Sequence, residues 1–139
     1  MYTNEFKLRV RYEETDRMGI VYHANYITWF EIGRTEYLRS IGYTYRDMEN
    51  SIWIPVVSVE CRYKKPARYD DLVTIKTHII ELHRVKAKFG YEVLKDNEVI
   101  AVGTSINAFT SPELKPLALN KVKPDLFKKL EECAECCKF

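Results

Sequence analysis

Phe6, Leu8, Val10 and Tyr12 alternate with Lys7, Arg9 and Arg11, a period of two that predicts an opening strand with one polar face. A polar Glu13-Glu14-Thr15 segment then leads to Asp16 and a turn glycine, Gly19. Beyond Ile20-Val21-Tyr22-His23 the period lengthens. Tyr26, Phe30, Gly33, Tyr37 and Ile41 recur at three- and four-residue steps, which sets them on one face of a long helix, with Trp29 and Leu38 flanking the stripe. Glycine inside a helix costs about 1 kcal/mol relative to alanine. Gly33 therefore predicts that something broad, such as a sheet, packs closely against the helix there. Gly42 stands where a left-handed C-terminal residue belongs. Thr44-Tyr45-Arg46-Asp47, a capping-box variant with Asp in place of Glu or Gln, predicts a short second helix ending near Asn50.

From Ser51 the period returns to two. Val57, Val59, Cys61 and Tyr63 alternate with Ser58, Glu60, Arg62 and Lys64. Lys65-Pro66-Ala67-Arg68 breaks that strand, and Tyr69-Asp70-Asp71 continues the turn. Val73, Ile75, Thr77 and Ile79 define the next strand, with His83-Arg84 at a connection. Val85, Ala87, Phe89, Tyr91 and Val93 then face one way, and Lys86, Lys88 and Glu92 the other. Asp96-Asn97 reads as a hairpin turn. The stretch from Val99 to Phe109 is the most apolar, with Ile100, Val102, Ile106 and Ala108 expected to fill one face, which predicts a central strand or one buried on both sides. Past Ser111-Pro112 the pattern lapses. Pro124 fits the first position of a C-terminal helix carrying Leu126, Phe127 and Leu130, expected to fray at its end. One strand, one long apolar helix and four strands joined by short turns predict an α+β fold in which the sheet wraps the helix.

A chain of 139 residues is read as one domain over 1–139, with 110–139 as an irregular segment plus the terminal helix. A net charge of +2 gives no general case for nucleic-acid binding. No apolar run approaches the roughly 18 residues of a membrane span, and the first residues lack the apolar core of a signal peptide, so the expected location is the cytoplasm. Of the four cysteines, Cys61 reads as a small core residue. Cys133, Cys136 and Cys137 cluster in a charged tail without a second Cys/His pair to complete a tetrahedral site, and are read as reduced thiols. No metal or cofactor is expected.

The candidate chemistry lies at the front of the long helix. N–H groups at a helix start lack partners within the helix and carry about half a positive charge from its dipole. A carbonyl oxygen resting on them would be polarised, and Asp16 could attack it or activate water to do so. Against this stand two plainer readings, in which Asp16 caps a turn and His23 helps to cap the helix.

Arg9-Val10, Thr15-Asp16, Gly19-Ile20-Val21, His23 and Tyr26 fall at the active-site spacing of a known family. Together with Lys65-Pro66-Ala67 and Tyr69-Asp70-Asp71, they make the chain resemble, from about Phe6 to Thr110, the hotdog-fold acyl-CoA thioesterases of the 4-hydroxybenzoyl-CoA thioesterase-like family. Within it the chain looks most like the small bacterial subgroup associated with the Tol-Pal system. The resemblance implies a hotdog fold, in which a curved antiparallel sheet wraps one central helix. It also implies a homodimer with paired sheets, sites at the subunit interface and grouping into tetramers. The implied reaction is hydrolysis of acyl-CoA, or of an acyl-carrier-protein thioester, without a cofactor.

On that resemblance Asp16 is the nucleophile or the general base, and the sequence leaves both open. The backbone N–H at His23 would hold the thioester oxygen, while the His23 side chain orients water or the thioester, ahead of protonating the leaving thiolate, which departs easily without it. Gly19, Tyr22 and Tyr26 belong to the substrate site, with Tyr26 and Tyr12 read as core or wall ahead of any chemical role. CoA phosphates call for cations. Arg84 and Lys86 are the first candidates, ahead of Lys64, Lys65 and Arg68. Tyr22, Trp29 and Ile54 are candidate pocket walls. A non-catalytic acyl-CoA-binding module and a hotdog dehydratase or hydratase are the competing classes, and thiol release separates hydrolysis from both.

Overall fold

In a computed structural model, which describes residues 1–138, five antiparallel strands form one sheet against a long helix. The strands are β1 (Thr3–Arg9), β2 (Val56–Tyr63), β3 (Leu72–Leu82), β4 (Lys86–Lys95) and β5 (Glu98–Ala108), and the helices are α1 (Asn25–Ser40), α2 (Tyr45–Met48), α3 (Leu119–Val122) and α4 (Pro124–Cys133). The strand order across the sheet is β1-β3-β4-β5-β2. Strand β2 therefore lies at one edge while β3, next in sequence, lies beside the other. The connection from Lys64 to Asp71 must cross the ends of β5 and β4, and it binds both. The N–H groups of Lys64 and Lys65 donate to Ile100 O at 2.8 and 3.1 Å, and Lys95 Nζ meets Asp71 Oδ2 at 2.9 Å.

The long helix is where its periodicity puts it. Tyr26, Trp29, Phe30, Gly33, Tyr37 and Leu38 are all buried. Large side chains such as these contribute about 1.5–3 kcal/mol each on full burial. The close approach at Gly33 is real: a Cβ there would run into Thr77 Oγ1 and lie 3.1 Å from Ile75 Cγ2, both on β3. At the other end Gly42 has φ +97°. The N–H groups of Gly42 and Tyr43 donate to Arg39 O (3.1 Å) and Leu38 O (2.9 Å), a Schellman closure. Thr44 caps α2 by accepting from the Asp47 N–H at 3.1 Å. Asp96 and Asn97, both with positive φ, turn the β4–β5 hairpin.

Four expectations are corrected. The opening strand ends at Arg9, and Tyr12 lies in a 3₁₀ turn, Tyr12–Glu14, with 79% of its surface exposed. Val85 precedes β4 and is exposed. Strand β5 is second from the edge, and a register shift between Val93 and Leu94 precedes an inward face other than the one its apolar alternation suggests. Across most of its length the buried positions are Ala101, Ser105 and Asn107, and at Gly103 the ring of Phe30 takes the place of a Cβ. The polar groups there form a chain: Arg34 Nη1 donates to Tyr91 Oη (2.9 Å), which lies 2.6 Å from Ser105 Oγ, which donates to Asn107 Oδ1 at 2.7 Å. Finally, the C-terminal segment is pinned along its end. Helix α4 ends at Cys133. Beyond it the Glu135 N–H bonds Ile79 O, the Leu82 N–H bonds Cys136 O, and the Lys138 N–H bonds Leu82 O. Strand β1 pairs with β3 only from Leu72 to His78, so the tail covers the edge that β1 leaves bare.

Candidate active site

Between β1 and α1 the chain makes a tight loop. Thr15 and Val21 pair as an antiparallel bridge. Inside it the Asp16 N–H donates to Ile20 O at 2.9 Å and the Gly19 N–H to Asp16 O at 3.0 Å. Gly19 takes φ +77°, a conformation glycine adopts at little cost. The Val21 N–H donates to Ala67 O at 2.8 Å, which fastens this loop to the β2–β3 connection. That connection is braced in turn, because Asp71 Oδ2 accepts from the Arg68 N–H at 2.7 Å and pairs with Lys95. Burial on its own would raise the Asp71 pKa, but the bonds from Lys95 and the Arg68 N–H outweigh it and hold the carboxyl below its ordinary value.

A cavity of about 370 Å³ opens at this junction, lined by Asp16, Met18, Ile20, Val21, His23, Tyr26, Tyr63, Lys64, Lys65 and Pro66. Asp16 Oδ1 accepts from the Met18 N–H at 2.8 Å; among the described residues Oδ2 has no partner. Asp16 thus does cap a turn, with one oxygen. The amide N–H groups of His23 and Ala24 likewise have no partner among the described residues. They sit just ahead of the first turn of α1, where unpaired N–H groups and the helix dipole favour a developing negative charge. No side chain caps α1, so the capping reading of His23 does not hold. Its ring lies 4.5 Å from the Tyr22 ring and edge-on to Tyr63 at 6.3 Å, and its carbonyl accepts from Tyr63 Oη at 3.0 Å.

The aromatic wall is built from two tyrosines. Tyr26 is buried and meets Tyr63 edge-on, with centroids 5.0 Å apart. Burial raises the Tyr26 hydroxyl pKa against the pull of the Ala67 backbone N–H. The Tyr63 hydroxyl is pushed up to about 12 by burial and then by its Cys61 neighbour. Burial also raises the Cys61 thiol, which disfavours the thiolate that a nucleophile needs.

Of the residues singled out from the sequence, the fold gathers Asp16, His23, Tyr26, Lys64 and Lys65 around one cavity, with Gly19 in the turn beside it. Lys65 Nζ is paired with Glu98 at 2.6 Å. Tyr22 meets His23 at a tilt from outside the lining, and Arg68 acts through its backbone. Arg84 and Lys86 lie elsewhere. Lys86 starts β4 at the end that pairs with Ala108, about 30 Å along the strand from the cavity end. Trp29 is fully buried, and Ile54 lines a separate cavity with Tyr45 and Trp53. Sequence reasoning missed Tyr63 and Pro66 in the wall and Glu14 behind it. Tyr63 carried one signal, its place at the inward end of an alternating strand. Among the described residues no group of three or more His, Cys, Asp or Glu side chains could hold a metal, and no helix is long and apolar enough to cross a membrane.

Residues 10–126 match the model of the thioesterase-like superfamily. YneP of Bacillus subtilis strain 168 is 38% identical over 128 residues, covering 90% of this chain and 93% of its own. The acyl-CoA thioesterase YbgC of Haemophilus influenzae is 31% identical over 119 residues, 84% of this chain and 88% of its own. Among solved structures, a DHNA-CoA thioesterase from Staphylococcus aureus superposes with a TM-score of 0.92 at 32% identity, over 95% of this chain and 91% of that one. The fold is therefore that of the hotdog thioesterases.

Proposed function

The chain belongs to the thioesterase-like superfamily, and on that premise we propose that it hydrolyses an acyl-CoA thioester to the free carboxylic acid and CoA. One observation carries the reading: Asp16, with an oxygen that has no partner among the described residues, lines one cavity with His23, whose N–H, like that of Ala24 beside it at the helix start, has no partner among the described residues. The thioester oxygen rests on those N–H groups, which stabilise the charge it gains as the carbonyl carbon becomes tetrahedral. Asp16 either attacks that carbon, expelling the CoA thiolate and leaving a mixed anhydride that water hydrolyses, or takes a proton from a water that attacks directly. Both routes end in the acid and the thiol. The neutral hydroxyls of Tyr26 and Tyr63 and the ring of His23 confine the acyl group, and Lys64 and Lys65 stand at the rim.

The proposed assembly is a dimer paired along β2. Of the two sheet edges, β1 is blunted by Glu5, Lys7 and Arg9, whereas β2 exposes Val56, Val57 and Tyr63. An exposed apolar edge strand invites pairing. Antiparallel pairing of β2 with a second β2 brings the Val56 end of one against the Tyr63 end of the other. That step carries Arg84 and Lys86 of the partner subunit to the same end of the joint sheet as the Asp16 cavity, where they meet the CoA phosphates. Cysteines without a disulfide fit a reducing compartment, and the proposed location is the cytoplasm.

The test is free-thiol release from a panel of short, long and aromatic acyl-CoAs, with DHNA-CoA included because a similar protein acts on it. Asp16→Asn keeps the oxygen that accepts from Met18, so it should fold. It is expected to lose about a thousandfold or more in kcat. Retention of a tenth of the rate would remove Asp16 from the chemistry, and intact acyl-CoA bound without thiol release would make the protein a binding module. Arg84→Ala should raise KM for acyl-CoA far more than for a short thioester lacking the nucleotide.

A further inference from the structure

We propose that Glu14 is a positioning residue for this site, holding the oxyanion-binding N–H groups in place from behind; the kinetic part of the inference rests on the thioesterase reading above. The observation is a convergence of four bonds. Glu14 Oε1 accepts from the Arg11 N–H at 2.8 Å, and Oε2 from Trp29 Nε1 at 2.8 Å. The Glu14 carbonyl accepts from the Tyr22 N–H at 2.8 Å and from Asn25 Nδ2 at 2.8 Å. Tyr22 and Asn25 flank His23 and Ala24, the two residues whose N–H groups are free. The carbonyl of Glu14 therefore clamps both sides of the oxyanion site. The carboxylate sets where that carbonyl stands, by tying it to the loop start at Arg11 and to a fully buried indole on α1. Glu14 also lies two residues before Asp16, so the same anchor registers the carboxylate against the N–H pair.

The chemistry demands a carboxylate. Two N–H donors approach the two oxygens, and only an ionised carboxyl offers an acceptor to each without a hydrogen in the way. Glutamine has the same shape but turns an NH₂ toward one of them. The Trp29 ring packs against Tyr26, centroids 4.7 Å apart, so a displaced indole would also move the cavity wall. A misplacement near 1 Å can cost about a hundredfold in rate.

The experiment is a cycle of Glu14→Gln, Trp29→Phe and the double variant, assayed for kcat and KM and observed by ¹H–¹⁵N NMR. Each single variant should lower kcat by about 10- to 100-fold with KM changed less than about threefold, because the N–H pair matters more in the transition state than in the bound substrate. The double variant should be no slower than the slower single, since the Phe removes the donor that the Gln opposes. In Glu14→Gln the His23 and Ala24 amides and the Trp29 indole should shift while the β3 and β4 amides stay. A kcat within twofold of wild type, or multiplicative losses in the double variant, would overturn the proposal. So would a lower Tm with kcat per folded enzyme unchanged. If the unaltered protein releases no thiol, the thioesterase reading fails by itself. The spectra then decide the positioning role, and unmoved His23 and Ala24 amides reject it. Should Glu14→Gln not fold, Trp29→Phe gives the same two readouts.

Discussion

At Gly33 the long helix comes so near β3 that Thr77 Oγ1 occupies the space of a side chain. Gly33→Ala would gain about 1 kcal/mol of helix propensity and incur overpacking of about 1–3 kcal/mol. Thr77 is fully buried and stiff about χ1, so it cannot swing aside and the steric cost wins. Thermal unfolding should show a lower Tm, and Thr77→Ala in the same chain should recover part of the loss relative to Thr77→Ala alone. A second residue-scale effect lies under the sheet. Tyr91→Phe breaks the chain from Arg34 to Ser105 and leaves buried polar groups unpaired, which costs about 1–3 kcal/mol, measurable by denaturant unfolding. The stripe containing Gly33 was legible from spacing. The network was not, because nothing local to Arg34, Ser105 or Asn107 marks them as partners until the helix and the sheet are stacked.

At the scale of elements, the β2–β3 connection does more than reverse the chain. It carries Ala67, whose carbonyl holds Val21, and it is braced by Asp71 between Lys95 and the Arg68 N–H. The lowered pKa of Asp71 has a stability consequence. A carboxyl whose folded pKa lies below its unfolded value stabilises the protein above the unfolded pKa, and that contribution is lost as pH falls through the folded one. Asp71→Asn should therefore be less stable than wild type at neutral pH, and the gap should close below about pH 4. A gap that persists unchanged into acid would reject the carboxylate's role. The connection was recognisable as a break and a turn in the sequence, but not as a brace. That depends on Lys95, 24 positions further along. Strand β5 failed for a related reason: its apolar alternation names two faces but does not say which one meets α1.

For the whole molecule, the strand order β1-β3-β4-β5-β2 is the decisive feature. It sends the β2–β3 connection over the front of α1 and leaves β2 as an edge that exposes Val56, Val57 and Tyr63. Val57, 65% exposed, offers the test. Val57→Lys should shift the proposed dimer toward monomer in analytical ultracentrifugation and lower kcat/KM for acyl-CoA. An unchanged sedimentation profile would move the interface elsewhere. The sequence by itself determined the elements, since a period of 3.6 or of two is a local property of the chain. It also determined the candidate segment from Thr15 to Tyr26, because a turn, a carboxylate and a helix start are contiguous there. Only the tertiary structure decided what surrounds that segment. Tyr63, Lys64 and Lys65 line the same cavity as Asp16, Arg84 and Lys86 do not within one chain, and Glu14 stands behind the loop. Those placements follow from sheet order and packing, which pair residues tens of positions apart and so leave no mark on local periodicity.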